Sequence, residues 1–320
     1  MKAIRVRKFG GPEVLVPEEV PAPAPAAGQV LVRVRAAGVN PYETYIRAGA
    51  YASLPELPYT PGSDGAGTVE SAGPGVVSVK PGDRVYLAKS LSGTYAEYAL
   101  ALEEQVHPLP EALSFAQGAA VWVPYGAAYH ALAHQAGARP GETVLVHGAS
   151  GGVGVAAVQL ARAMGLAVLG TAGTPEGRAL VLGQGARAAF DHSSPGHAAA
   201  VLEATGGRGA DIVLEMLANV NLAADLKMIS EGGRVVVIGS RGEATINPRD
   251  LMARRGSVRA FTLWAVTPEE EKEIHAAVGA GLALGTLKPL VGREFPLADA
   301  AAAHEAVMRS GAAGKIVLAC

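Results

Sequence analysis

The sequence predicts an α/β protein of two domains, a β-barrel-type domain and a doubly wound domain with a parallel sheet. The chain of 320 residues is longer than one hydrophobic core usually spans. Its first part alternates short apolar stretches with glycine- and proline-rich turns, which favours short antiparallel strands. Its middle alternates continuous apolar stretches with helical ones, which is typical of a parallel sheet covered on both faces. We place the first domain at residues 1–121, completed by 265–320, and the second at 122–264.

The strands of the first domain are predicted from alternation between turns. In QVLVRVRAAGV the apolar residues Val30, Val32 and Val34 recur at every second position, so one side of this strand faces a core. The stretches TPGSDGAG and VKPGDRV supply turns that separate such strands. The tract at residues 21–27 is rich in alanine and proline and should cross the surface, because proline lacks the N–H that a central strand donates.

The second domain is predicted from buried strands that alternate with helices. The strands are TVLVHGA, AVLGTAG, ADIVLEML and GRVVVIGS, and the helices include VGVAAVQLARAMG, GRALVLGQGA and LAADLKMIS. The residues after about position 265 contain a helix, PEEEKEIHAAVGAGLALG, a short strand, a helix, ADAAAAHEAVMRS, and a terminal strand, KIVLA. We expect this last part to return to the first domain.

Composition excludes several classes of function. The net charge of −2 gives no basic field for nucleic acid or for a membrane surface, and no uninterrupted apolar stretch is long enough to span a bilayer. The single cysteine, Cys320, excludes intramolecular disulfides and cysteine-based zinc sites. The eight histidines are scattered, so we expect no metal site, and we expect a cytoplasmic protein.

A glycine-rich loop predicts a dinucleotide site. The strand TVLVHGA leads into Ser150-Gly151-Gly152-Val153-Gly154 and then into a helix, which is the context that a dinucleotide fingerprint needs. Small residues allow the turn, backbone N–H groups can approach a pyrophosphate, and the helix N-terminus favours an anion. A purely structural strand-to-helix turn is the alternative.

The end of the next strand favours NADPH over NADH. An NAD-specific enzyme commonly carries an acid there to bind the ribose 2′-hydroxyl, but the segment GTAGT at residues 170–174 has none. Arg178 lies near enough in sequence to meet a 2′-phosphate, although it could equally be a solvated arginine. Glu176 could reach the same region and weakens the argument.

Several segments carry a resemblance to a known family. They are the segment from Val144 through Gly173, EMLANVNL, GSRGEATINPRD, GGPEVL, GVNPYETYIRAGAY, PYTPGSDGAG, KPGDRV, YAEYAL and HEAVMRSGAAGKIVL. Together they span nearly the whole chain and resemble the zeta-crystallin-type quinone oxidoreductases, which are zinc-independent members of the medium-chain dehydrogenase/reductase superfamily. The resemblance implies a GroES-like domain formed from both chain ends, a Rossmann domain between them and a cofactor cleft.

The same resemblance implies chemistry without zinc. Zinc-dependent relatives carry a cysteine after a Gly-x pair and a Gly-His-Glu a little later, whereas here Asn40 and Ser63-Asp64 stand at those places. Alcohol oxidation is therefore disfavoured. A quinone is already electron-poor, so placement of the nicotinamide and a neutral hydrogen-bond donor suffice. The family implies that Asn40, Tyr45 and Tyr51 line the nicotinamide and substrate cleft. For Asp64 we expect a structural role through nearby backbone N–H groups.

The resemblance also assigns cofactor contacts along the second domain. They are Tyr51, Ser150, Gly151, Gly152, Val153, Gly173, His192, Asn221, Ile238, Gly239, Ser240, Arg241, Phe261, Thr262 and Leu263, to which Arg178 is added from its position. Arg241 could bind phosphate or form a surface salt bridge. Tyr125 could contact substrate or only pack.

Three functions follow from the resemblance. The first is NADPH-dependent reduction of a quinone, and the second is NADPH-dependent reduction of an activated carbon–carbon double bond in an alkenal or enoyl thioester. The third is an NADPH-binding structural or RNA-binding protein, against which the near-neutral charge argues. The family further implies a homo-oligomer, and we expect a dimer formed by pairing of sheet edges.

Overall fold

A computed structural model describes residues 1–311 and 313–320 of the chain. Its strands are β1 (Lys2–Arg5), β2 (Val16–Glu19), β3 (Gln29–Val39), β4 (Asp64–Ala72), β5 (Arg84–Ala88), β6 (Tyr98–Leu102), β7 (Val106–Pro108), β8 (Thr143–Val146), β9 (Ala167–Thr171), β10 (Ala188–Phe190), β11 (Ala210–Glu215), β12 (Ile229–Val237), β13 (Ser257–Ala260), β14 (Val291–Pro296) and β15 (Lys315–Ala319). Two compact units result, Met1–Val123 with Pro289–Cys320, and Pro124–Lys288.

The helices are distributed over both units. The α-helices are α1 (Pro41–Arg47), α2 (Phe115–Gly118), α3 (Trp122–Tyr129), α4 (Gly152–Ala163), α5 (Pro175–Gly183), α6 (His197–Ala204), α7 (Ala218–Met228), α8 (Pro248–Arg254), α9 (Pro268–Ala283) and α10 (Ala300–Val307). Short 3-10 helices cover Pro12–Val14, Glu103–Gln105, Leu263–Ala265 and Leu297–Asp299, and His130–Gln135 is π-helical. In the described ranges, no helix has both the length and the apolar character needed to cross a membrane.

The first unit is built around a mostly antiparallel sheet in the order β14-β15-β3-β4-β5-β7, with β6 also paired to β3. Among the described strands of this sheet, the β14–β15 pair alone is parallel. On β3, Val30, Val32 and Val34 are buried while Arg33 and Arg35 are exposed, as the alternation in the sequence predicts. The separate pair β1–β2 is antiparallel.

Helix α1 begins at a local sequence signal for a helix start. Asn40 is the N-cap and Pro41 the first helical residue, where its missing N–H costs nothing. The backbone N–H of Asn40 donates to Glu43 Oε2 at 2.8 Å, which closes the first turn. The helix ends near Gly49, whose φ of +74° favours glycine.

The second unit contains a six-stranded parallel sheet in the order β10-β9-β8-β11-β12-β13. The chain order reverses between β8 and β11, and ligands of doubly wound sheets bind at the carboxyl ends of strands on either side of such a reversal. Both sheets confirm the predicted fold class.

The boundary after the parallel sheet differs from the prediction. Residues 265–288 belong to the second unit, and the first unit is completed from Pro289 onward. Helix α9 buries Ile274, Val278 and Leu282 in this unit, and Lys288 exchanges two backbone hydrogen bonds with the side chain of Gln159 on α4, at 2.8 and 2.9 Å. The apolar pattern of α9 predicts a buried helical face, but not the unit that covers it.

Candidate functional site

The predicted cofactor residues of the second unit follow the carboxyl ends of its parallel strands. Ser150, Gly151, Gly152 and Val153 follow β8, Gly173 and Arg178 follow β9, His192 follows β10, Asn221 follows β11, Ile238, Gly239, Ser240 and Arg241 follow β12, and Phe261, Thr262 and Leu263 follow β13. One edge of one sheet therefore presents them all. Their contacts with a cofactor remain predictions.

The glycine-rich loop has the close packing that its sequence predicts. Gly148 turns the chain with a φ of +55° after β8, and Gly151 caps α4. A Cβ on Gly154 would lie 2.3 Å from the carbonyl oxygen of Gly148, so only glycine lets α4 approach the loop. This twelve-residue helix begins at the loop. The backbone N–H groups of its first turn therefore make the loop suited to an anion such as a pyrophosphate.

The region after β9 and β10 combines a cation with an acid. Arg178 Nη1 lies 3.0 Å from Asp191 Oδ2 and donates to the carbonyl of Ala172 at 3.4 Å. Hydrogen bonds from Ser193 hold the pKa of Asp191 below its usual range, so this acid is charged at neutral pH. A Cβ on Gly173 would lie 3.0 Å from Nε2 of His192. Arg178 is therefore half-buried and paired with an acid, although the segment at residues 170–174 itself contains none.

The segment after β12 is held by Glu215, the last residue of β11. Ile238 N–H donates to the Glu215 carbonyl at 2.8 Å, and Asn221 Nδ2 donates to the Glu215 carboxylate at 3.1 Å. A Cβ on Gly239 would lie 2.6 Å from the carbonyl oxygen of Met216. The side chain of Arg241 is exposed, which leaves it accessible to a phosphate.

After β13 the three predicted residues differ in exposure. The Phe261 ring lies 4.6 Å from the His130 ring, Leu263 is buried and Thr262 is exposed. Tyr125 is buried, and its hydroxyl donates to Gln159 Oε1 at 2.8 Å. These contacts indicate a packing role for Tyr125.

In the first unit, Asn40 lies in a buried polar network. Its Nδ2 donates to Asp64 Oδ2 at 2.9 Å, its Oδ1 accepts from the Lys315 ammonium, and that ammonium lies 2.7 Å from Asp64 Oδ2. Asn40 is only 2% exposed, and the prediction that it lines the substrate cleft stays a prediction. Asp64 is structural as predicted, but its Oδ1 accepts from the distant N–H of Val123.

The predicted tyrosines lie on α1 and just after it. Tyr45 and Tyr51 are both half-buried. The ring of Tyr42, a residue that was not predicted for the site, lies 6.0 Å from that of Tyr51, and its hydroxyl contacts Ser63 Oγ. Burial raises the pKa of Tyr42 well above its usual value, so this hydroxyl remains a neutral donor.

A second buried acid next to this network was also missed. Glu43 accepts hydrogen bonds from Tyr95 OH at 2.9 Å and from Ser63 N–H at 3.2 Å. Burial raises the pKa of Glu43, and the charge of Lys315 opposes that rise. The available sequence signal was a lone lysine at the start of the apolar strand KIVLA, since such a lysine needs an acidic partner when it is buried.

A further group escaped prediction because it comes from three elements. Donor atoms of His147, Glu215 and Asp225 lie within 4.8 Å of one another, and all three residues are buried. His147 Nε2 lies 2.8 Å from Asp225 Oδ1, which is a hydrogen-bond distance. The signal in the sequence was a polar residue that ends an apolar strand, as Glu215 does in ADIVLE.

Two family descriptions match the chain. "Alcohol dehydrogenase GroES-like domain" matches residues 26–111, and "Zinc-binding dehydrogenase" matches residues 152–279. The first match lies in the mostly antiparallel unit, and the second in the parallel-sheet unit.

Full-length relatives and solved structures are similar as well. "Quinone oxidoreductase" of Homo sapiens is 52% identical over 320 residues, which is 99% of this chain and 97% of the relative. The structure of Escherichia coli quinone oxidoreductase complexed with NADPH is 31% identical, covers 100% of both chains and has a TM-score of 0.89. A structure described as an NAD-dependent alcohol dehydrogenase is 30% identical, with the same coverage and a TM-score of 0.93.

Proposed function

This chain belongs to the quinone oxidoreductase family of the medium-chain dehydrogenases/reductases, and from that premise we propose that it reduces quinones with NADPH. The observation that carries the proposal is 52% identity to a quinone oxidoreductase over 99% of this chain. A fold alone would not carry it, because this fold supports several reactions.

The residues of the second unit fit a dinucleotide. The loop has no room for a Cβ at Gly154, and the N–H groups at the start of α4 favour a pyrophosphate. When bound, NADPH would supply a hydride from its nicotinamide ring. Gly173, His192 and Arg178 would hold the adenosine end, and the residues after β11, β12 and β13 would hold the rest of the cofactor.

Arg178 is the group that we assign to the 2′-phosphate. Asp191 uses part of the guanidinium and fixes its position, but a guanidinium has five donors and can bind two anions. The segment at residues 170–174 contributes no acid that would repel a phosphate, and the charge of Asp191 is already paired with Arg178. The likeness to a structure that is complexed with NADPH supports the same choice.

The residues at the zinc positions of other superfamily members do not fit zinc. Asn40 Oδ1 and Asp64 Oδ2 both contact the ammonium of Lys315, so a buried cation already neutralises the acid. A divalent ion at the same oxygens would be repelled by this ammonium. The chain also lacks the soft cysteine ligand at this place, since its single cysteine is Cys320.

We assign the acceptor to Asn40, Tyr45 and Tyr51. The side-chain oxygen of Asn40 accepts a hydrogen bond from Lys315, and one N–H of its amide donates to Asp64. The second N–H of the amide remains, and these two bonds fix its direction. A neutral donor of fixed direction stabilises an oxyanion without reorganisation. Tyrosine rings and hydroxyls beside it would orient a flat quinone.

We also propose that the protein forms a homodimer. Strand β13 is one of the two edges of the parallel sheet and its last three residues are exposed, so its unpaired backbone groups can pair with a second copy. Sedimentation would show a dimer, and a concentration-independent monomer would refute it.

The test of function is NADPH oxidation with a panel of ortho- and para-quinones, 2-alkenals and enoyl thioesters. Turnover that is fastest with quinones supports the proposal. Turnover confined to the alkenes would replace it with a double-bond reductase. Tight NADPH binding without any turnover, together with salt-sensitive RNA binding, would make the chain a binding protein.

The test of the site compares two asparagines that both cap a helix starting with proline. Asn40→Ala should lower kcat with quinones by about 100-fold, the order of effect of losing an oxyanion donor. Asn247→Ala, at the N-cap of α8, should lower stability only. An unchanged kcat in Asn40→Ala would remove Asn40 from the site. Melting temperatures and NADPH binding of both variants separate this effect from misfolding.

A further inference from the structure

We propose that His147, Asp225 and Glu215 form a proton-sharing network that positions the cofactor-binding edge of the parallel sheet, so that NADPH affinity depends on the protonation of this network. The inference rests on the proposed function, because it assumes that NADPH binds at this edge. The three are positioning residues and need not touch the cofactor.

The network lies beneath the point where the strand order reverses. His147 directly follows β8, Glu215 ends β11 and Asp225 lies in α7. Their exposed fractions are 2%, 0% and 0%. Two carboxyl groups at such depth cannot both stay ionised without a cation or a proton between them.

The contacts indicate where a proton is held. His147 Nε2 donates to Asp225 Oδ1 at 2.8 Å, while Glu215 Oε2 lies 3.6 Å from the same nitrogen. Glu215 Oε2 and Asp225 Oδ2 are buried, and within the described residues neither has another donor. Oxygen atoms of the two carboxyls lie within 4.8 Å of each other. A proton on one of them is required, since two bare carboxylate oxygens repel.

Electrostatics places that proton on Glu215. Burial raises the pKa of both carboxyls, and for Glu215 the charge of Asp225 adds to the rise. Burial lowers the pKa of His147, which keeps the imidazole neutral. Asp225 then carries the negative charge and accepts a hydrogen bond from the imidazole, and a protonated Glu215 lies near enough to supply a second.

One end of the network reaches the glycine-rich loop. With Nε2 protonated, His147 Nδ1 accepts from the Thr171 hydroxyl at 3.3 Å. The same Thr171 oxygen accepts from the N–H of Gly148 at 3.2 Å. Donor and acceptor are thereby assigned in each hydrogen bond of the series Gly148, Thr171, His147 and Asp225. Gly148 is the first residue of the loop that we assign to the pyrophosphate.

The other end reaches the strand-end segments on the far side of the reversal. Glu215 Oε1 accepts from Asn221 Nδ2 at 3.1 Å and from the N–H of Leu217. Asn221 is a predicted cofactor contact. One proton therefore links the two halves of the site, and its loss would leave two buried negative charges below a cofactor that is itself an anion.

His192 must be considered in any pH dependence. Its Nδ1 lies 3.3 Å from the Thr171 hydroxyl, and its charge interacts with His147, Asp191, His197 and Glu215. The residue is exposed, yet desolvation lowers the pKa of His192 from its ordinary value, so a charge gained there on acidification must be distinguished from a change in the network. A variant that removes it is needed beside the network variants.

The first measurement is the Kd for NADPH between pH 5.5 and 8.5, in wild type, Glu215→Gln and His192→Gln. Glutamine keeps the donor to Asp225 and the acceptor for Asn221, but it has no proton to lose. Wild-type affinity should fall with rising pH, by up to about tenfold per pH unit above the pKa of the network. The 2′-phosphate of NADPH titrates in the same range, so each variant is compared with wild type at every pH.

The proposal is supported if the NADPH affinity of Glu215→Gln no longer falls with pH beyond what titration of the 2′-phosphate causes, while that of His192→Gln still does. A wild-type profile in Glu215→Gln, or a flat profile in His192→Gln alone, would overturn it. A folded Glu215→Gln that binds no NADPH at any pH would also overturn it, because the proton would then not be what the site needs.

The second measurement needs no cofactor. A carboxyl whose pKa is raised on folding stabilises the protein at low pH and loses that contribution as pH rises through the folded value. The free energy of unfolding in urea should therefore fall more steeply from pH 5.5 to 8.5 in wild type than in Glu215→Gln or Asp225→Asn. Parallel slopes would refute the shared proton. If wild type binds no NADPH, but its free energy of unfolding still depends more steeply on pH than that of the variants, the proposed function is refuted and the shared proton is supported.

Metal analysis of the purified protein distinguishes a proton from an ion. No stoichiometric divalent metal is expected after dialysis. One equivalent that disappears in Glu215→Gln would show that an ion, not a proton, joins the carboxyls, and would overturn the proposal.

Discussion

The ammonium of Lys315 lies 2.7 Å from Oδ2 of Asp64, although 251 positions separate the two residues in the sequence. Their side chains are 5% and 1% exposed. The last strand thus supplies the counter-charge for an acid at the start of β4, and Asn40 completes the network through both atoms of its amide.

Lys315→Met should destabilise the first unit because it leaves the Asp64 carboxylate buried without a counter-charge. Removing one member of a buried ion pair costs about 3–5 kcal/mol, which urea unfolding would measure at pH 7. The control is Lys80→Met, whose partner Asp83 is 3.7 Å away on an exposed surface, and it should have little effect. A Lys315→Met protein as stable as the control would refute the pairing.

The contrast between Gly154 and Lys315 shows what a sequence can predict. The glycine loop is local, since one strand, one turn and one helix lie within a short segment, and the structure has that arrangement. The alternation of Val30, Val32 and Val34 is local in the same way. Lys315 could not be paired with Asp64 in advance, because nothing in KIVLA specifies which distant strand lies beside β15.

The same limit explains the domain boundary. The pattern of α9 shows that Ile274 and Val278 face a core, but either unit could have provided that core. Hydrogen bonds between Lys288 and Gln159 tie the end of this segment to the second unit, and they join residues 129 positions apart. The sequence therefore predicts local structure, but it does not predict placements that depend on contacts between distant residues.

Gly154→Ala should impair the loop that we assign to the pyrophosphate. The new Cβ would lie 2.3 Å from Gly148 O and 2.5 Å from Ala149 Cα, so α4 must move away from the loop. We expect NADPH binding to weaken by at least about tenfold, or roughly 1.4 kcal/mol, in a fluorescence titration. Gly183→Ala is the control, because the residue is helical and a Cβ added there meets no described atom within 4 Å apart from its chain neighbours and its own helix backbone. Equal affinities in the two variants would contradict the assignment.

Arg178→Gln should reduce the preference for NADPH over NADH. The charged hydrogen bond to a 2′-phosphate is worth about 1.5–3 kcal/mol, so the ratio of the two dissociation constants should fall by about 10-fold or more while NADH binding changes little. Calorimetric titration with both nucleotides measures this ratio. A companion variant, Asp191→Asn, frees the guanidinium from its 3.0 Å ion pair and should preserve the preference. An unaltered ratio in Arg178→Gln would move the phosphate to another cation, with Arg241 the next candidate.

His304 should make the first unit sensitive to acid. It is buried against Tyr95, whose hydroxyl lies 3.1 Å from His304 Nε2 and itself donates to Glu43, so the imidazole must donate to Tyr95 in its neutral form. Burial lowers the pKa of His304 to about 3. Below the ordinary value of about 6.5, the unfolded chain takes up a proton that the folded chain refuses. Stability is therefore complete above that pH and declines as pH falls toward 3.

His304→Gln tests this, since its amide N–H can still donate to Tyr95 but cannot be protonated. Between pH 6.5 and 4.5, wild type should lose roughly 2–3 kcal/mol of stability more than the variant, at ~1.4 kcal/mol per pH unit. The control, His197→Gln, changes a half-buried histidine whose Nδ1 lies 3.0 Å from the nearby Ser194 carbonyl oxygen. Its slope should match that of wild type. If His304→Gln unfolds with the wild-type pH dependence in urea at both pH values, another group is responsible for the acid sensitivity, and His107, whose pKa burial lowers to about 4, becomes the one to test.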